Sequence, residues 1–109
     1  MKFVLTTALL LTSSLSIAEC SRPTAPELPD GATADMQAMV DGQKAVKAYV
    51  AGTEAYLDCL TAEDDEAGGE ADPDALEARV EMHNTAVDEM DVVANEFNEE
   101  IREYKARAK

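Results

Sequence analysis

Residues 72–109, DPDALEARVEMHNTAVDEMDVVANEFNEEIREYKARAK, decide the fold. Asp72 is a good N-cap and Pro73 suits the first helical position. Apolar or seam residues then recur at Leu76, Val80, His83, Val87, Met90, Ala94, Phe97, Ile101, Tyr104 and Ala108. Every step is four or three, the period of a helix with one apolar stripe. Ala86 and Val93 widen that stripe. Asp74 and Glu77 suit the positive end of the helix dipole, and Arg102, Lys105, Arg107 and Lys109 suit the negative end. The pattern predicts a helix over 73–108.

A second helical period precedes it. Met36, Met39, Gln43, Val46, Val50, Thr53, Leu57 and Leu60 follow heptad spacing and predict a helix over about 33–62. Tyr49 and Tyr56 stand beside this seam, one heptad apart. Thr33 or Asp35 serves as its cap. Gly42 and Gly52 each weaken a helix by about 1 kcal/mol relative to alanine, although a glycine also lets another backbone come close. Between the periods, residues 63–72 form an acidic, glycine-containing loop. The expected fold is all-α: an antiparallel two-helix hairpin over 33–109. Such a hairpin buries one face of each helix, so something else must cover it.

The stretch 19–32 is one candidate. Pro23, Pro26 and Pro29 recur every three residues, which puts their rings on one face of a polyproline II arm. Asp30-Gly31 then offers a turn. From Cys20 to Thr33 the arm reaches ~40 Å at 3.1 Å per residue. From Thr33 to Cys59 a helix reaches ~39 Å at 1.5 Å per residue. An arm folded back antiparallel on the first helix therefore brings Cys20 beside Cys59. It also sets Pro26 near Tyr49 and Pro23 near Tyr56, whose flat rings suit proline packing.

The first 18 residues read as a secretory signal. Lys2 is followed by a short apolar run from Phe3 to Leu11, and Ser16-Ile17-Ala18 suits cleavage. That run is too short to span a membrane, which takes ~20 residues, and no longer one follows. The expected location is periplasmic or secreted. There, two cysteines are most simply one disulfide, Cys20–Cys59. A lipid anchor on Cys20 is disfavoured, because Glu19 stands where a lipoprotein signal wants a small residue. All 23 acidic residues follow the signal, and losing Lys2 leaves eight basic ones, so the charge moves from −14 to −15. Such a chain repels nucleic acid and anionic lipid.

Four strings look alike to a known group when taken together: Leu28-Pro-Asp-Gly-Ala-Thr33, Val46-Lys-Ala-Tyr49, Tyr56-Leu-Asp-Cys-Leu60, and Asn84-Thr-Ala-Val-Asp-Glu-Met90 followed by Phe97-Asn98. They resemble uncharacterised small exported proteins of Gram-negative bacteria. That resemblance implies an envelope location and a helical hairpin, and no known activity. Separately, the 20–60 segment resembles the proline-arm-on-helix packing of the pancreatic polypeptides, in packing only.

No catalytic, cofactor or metal set emerges. His83 is the sole histidine, where a zinc site needs three or four convergent ligands. The acidic loop lacks calcium-loop spacing. Carboxylates abound, but general acid–base work needs a pocket that displaces their pKa values. The expectation is a non-enzyme: a structural or interaction protein whose heptad stripes meet a second copy or an envelope protein. In that case Gln43, Thr53 and His83 set the register. The alternative is an acidic cation-binding or envelope-stress module.

Overall fold

The computed structural model describes residues 20–67 and 72–107. The expected signal segment lies outside them. Two helices, α1 (Met36–Ala67) and α2 (Pro73–Arg107), pack against each other as an antiparallel hairpin, and the described residues contain no strand. Neither helix is long and apolar enough to cross a membrane.

Local chemistry sets the helix ends. Asp35 caps α1, its Oδ1 accepting the Ala38 amide at 2.8 Å. Asp72 caps α2, its Oδ1 accepting the Asp74 amide at 3.3 Å. Both are the side-chain caps that satisfy otherwise orphaned amides of a first turn. Thr33 is no cap; its amide donates to the Asp30 carbonyl at 3.1 Å. Asp30 organises the whole reversal, because its carbonyl also accepts the Ala34 amide and its Oδ1 accepts the Ala32 amide.

Helix α1 runs five residues past the expected end at 62. Acidic residues at a helix C-terminus oppose the dipole by only a few tenths of a kcal/mol each. The first strong breakers in the sequence are Gly68 and Gly69. The two helices are therefore nearly equal, ~48 and ~52 Å at 1.5 Å per residue. The Arg107 guanidinium reaches back to donate to the Ala34 carbonyl, just ahead of α1.

The buried face differs from the expected seam in a regular way. In α1 the inward residues are Met39, Gly42, Tyr49, Thr53, Tyr56 and Leu60. Positions 39, 53 and 60 belong to the expected seam. Positions 42, 49 and 56 replace 43, 50 and 57, a shift of one residue or 100° around the helix. In α2 the buried residues are Ala86, Val93 and Phe97, so the residues expected to widen the stripe stand at its centre. The rotation has a physical reason: this face must meet two neighbours at once, the other helix and the arm.

The arm, residues 20–30, is neither helix nor strand and runs antiparallel to α1. Cys20 bonds to Cys59, 39 residues away, with 5.6 Å between their α-carbons. Pro23 lies over Gly52 and Pro29 over Gly42. Gly31 then presses on the α2 backbone at Glu100, whose carbonyl a β-carbon would strike. The arm thus touches both helices as well as running along α1. At the cystine end, Cys20 and Leu57 pack on a core of Tyr56, Leu60 and Ala86.

Candidate functional site

Two faces of the hairpin contrast. On the covered face, the arm is held by polar ties at both ends. The Arg22 guanidinium lies 2.9 Å from the Glu89 carboxylate. Burial first, and that same Glu89 carboxylate second, raise the Tyr49 phenol above its ordinary pKa of 10.0. Arm, α2 and α1 therefore meet at one level. Further along, a Glu100 carboxylate oxygen accepts the Gly31 amide. Tyr49 and Tyr56 are buried, and Pro23, Pro26 and Pro29 are half-buried. The Pro23 ring lies against Gly52, one turn along α1 from the Tyr56 level that chain lengths suggest. Pro23 and Pro29 each pack on a glycine of α1, a socket that a reading of ring spacing alone does not find.

Carboxylates crowd the turn where the arm reverses. One oxygen each from Asp30, Glu100 and Glu103 lies within 4.8 Å of the others. Two of these carboxyls already accept backbone amides, Asp30 from Ala32 and Glu100 from Gly31. Glu63 stands beside the cystine, whose two sulfurs are taken up by their mutual bond. His83 is exposed on α2, and the acidic loop falls partly outside the described residues.

The opposite face carries no arm. Residues 43, 50 and 57 lie 100° round from the glycine and tyrosine positions that meet it. Here the α2 stripe read from the sequence comes to the surface. Val80 is 51% exposed and Leu76 46%, while Val87, Met90, Ala94, Ile101 and Tyr104 are half-buried. On α1, Met36 is 68% exposed and Val40 38%. Open troughs indent both ends of this face. One, of about 220 Å³, is lined by Met36, Val40, Gln43, Ile101 and Tyr104, with the core residues Met39 and Phe97 at its floor. The other, of about 130 Å³, is lined by Leu60, Thr61, Arg79, Val80 and His83.

Of the three polar seam residues, only Thr53 is buried, at 1% exposure, and its hydroxyl donates to the Tyr49 carbonyl one turn back in the same helix. That bond satisfies the hydroxyl within its own helix, and burial keeps Thr53 off the surface that a second copy would meet. Gln43 and His83 border the arm-free troughs. No protein-family model, curated protein or solved structure matches the chain.

Proposed function

We propose that this is an exported, periplasmic or secreted, structural protein that acts by binding protein through its arm-free face. The observation that carries the reading is an asymmetry. A disulfide-stapled arm runs along one face of the hairpin, leaving an open trough beside Arg22, Tyr56 and Met82, while an apolar stripe from Leu76 to Tyr104 runs along the other. Both faces are built from the same two helices, yet only one carries the arm. Contiguous exposed apolar surface on a small, highly charged protein marks an interaction site. The net charge of −14 keeps the remaining surface solvated.

The test compares Val87→Glu and Ile101→Glu with the unaltered protein in affinity capture from cell envelopes, with helicity checked by circular dichroism. The reading expects both substitutions to abolish an association that Thr24→Glu, on the arm, leaves intact. Equal capture by all three variants would overturn it. The alternative, an acidic cation-binding or envelope-stress module, draws on the acidic loop over 63–72 and on the Asp30–Glu100–Glu103 trio. A melting temperature equal in millimolar calcium and in sodium of matched ionic strength would dismiss it.

A further inference from the structure

We infer that the occupant of the arm-free face is a second copy of this chain, laid on it end for end about a twofold axis perpendicular to the helices. The inference rests on the docking role proposed above and names its partner. It follows from two patterns that share one centre.

The first pattern is apolar. Phe97 is buried within the hairpin, but the exposed or half-buried stripe residues Leu76, Val87, Met90 and Ile101 are spaced 11, 3 and 11 residues apart, and this order reads the same in both directions. Reversed upon itself about the point between Asp88 and Glu89, it sets Val87 of one copy against Met90 of the other, and Leu76 against Ile101. The second pattern is charged and lies on α1. Lys47 and Glu54 are both exposed, flank the half-buried Val50 on the arm-free side, and form no ion pair with any described residue of their own chain. Reversal about the point between Val50 and Ala51 sets Lys47 of each copy against Glu54 of the other.

These two centres lie level in the hairpin. A β-carbon on Gly42 would come within 3.2 Å of the Phe97 ring, and Tyr49 feels the Glu89 carboxylate. Equal rise along two antiparallel helices then puts the Val50–Ala51 point beside the Asp88–Glu89 point. One axis therefore satisfies the apolar stripe of α2 and the opposite charges of α1 together. An isologous pairing requires such self-complementarity, and two hairpins joined in this way form a four-helix assembly. The large negative charge opposes association, and salt screens that repulsion over a Debye length of ~8 Å at physiological ionic strength.

Analytical ultracentrifugation of the disulfide-intact chain over a range of concentrations tests this. Unaltered protein is expected to dimerise. Lys47→Glu and Glu54→Lys each place like charges together twice per dimer, and each is expected to weaken it roughly tenfold. The double exchange K47E/E54K is expected to restore the dimer to within about threefold, with unchanged helicity throughout. A dimer that the double exchange does not restore would overturn the axis. A chain that stays monomeric at about 1 mM would overturn the second copy altogether. If Val87→Glu still abolished capture of a different protein, the docking face would stand without self-pairing; if it changed no association, both readings would fall.

Discussion

Pro29 packs over Gly42 so closely that a β-carbon at residue 42 would stand 2.7 Å from both Cγ and Cδ of the proline ring. That distance lies well inside van der Waals contact, and the Phe97 ring closes the other side at 3.2 Å. Gly42→Ala gains about 1 kcal/mol of helix propensity, but overpacking against two rigid rings costs roughly 1–3 kcal/mol. The expected net effect is a lower melting temperature. At Gly52 a β-carbon would meet Pro23 at 3.3 Å, a gap that a small shift of the arm relieves. Gly52→Ala is expected to be neutral or stabilising by up to about 1 kcal/mol. Thermal melts of the two variants side by side check the contrast.

The disulfide closes a loop spanning 39 residues. In the chain-entropy account a loop of that length stabilises by on the order of 4 kcal/mol. Cys59→Ser should lower the urea midpoint accordingly. It should also raise hydrogen exchange along 20–31 more than along the middle of α2, because the arm loses its anchor while the helix–helix contact persists.

Tyr49 makes stability depend on alkaline pH. Its folded pKa is raised, so the unfolded phenol releases its proton first as pH climbs past about 10. Above that point the unfolded state binds fewer protons, and stability falls as pH rises through the folded value. Below pH 10 the full contribution is present. The melting temperature of the unaltered protein should therefore drop faster above pH 10 than that of Tyr49→Phe. Parallel curves for the two would contradict the burial of the phenol.

The two polar ties of the arm should differ in strength. Arg22 and Glu89 are 40% and 32% exposed in their side chains, so Arg22→Ala should cost well under 1 kcal/mol. Glu100 accepts a backbone amide at a part-buried site. Glu100→Ala orphans that amide and should cost about 1–3 kcal/mol, whereas Glu100→Gln keeps an acceptor and should recover much of the loss. Chemical denaturation of the three variants decides the order.

The helices, the arm reversal and the cystine were legible because each rests on spacing: heptads, threefold prolines and two matched chain lengths. The caps were legible in part, since Asp72 precedes a proline while Thr33 and Asp35 compete for one role. What stayed hidden was the rotation of the buried face. Gly42 contributes nothing to an apolar count, yet its missing side chain is what lets Pro29 in. Tyr49 and Tyr56 read as flanks of the seam because Val50 and Leu57 fit the heptad equally well. The α2 stripe reads as one seam in the sequence but divides in the structure: Ala86, Val93 and Phe97 face inward, and Val87 and Ala94 are half-buried beside them. A helix that must satisfy two interfaces carries two overlapping stripes, and periodicity alone ranks them by hydrophobicity rather than by partner.

The most direct test of the central claim is site-specific photo-crosslinking in intact cells. One crosslinker replaces Val87 on the arm-free face and another replaces Thr24 on the arm. The account predicts a discrete protein adduct from position 87, to a second copy or to another protein, and none from position 24. Adducts from position 24 alone, or none from position 87, would contradict it.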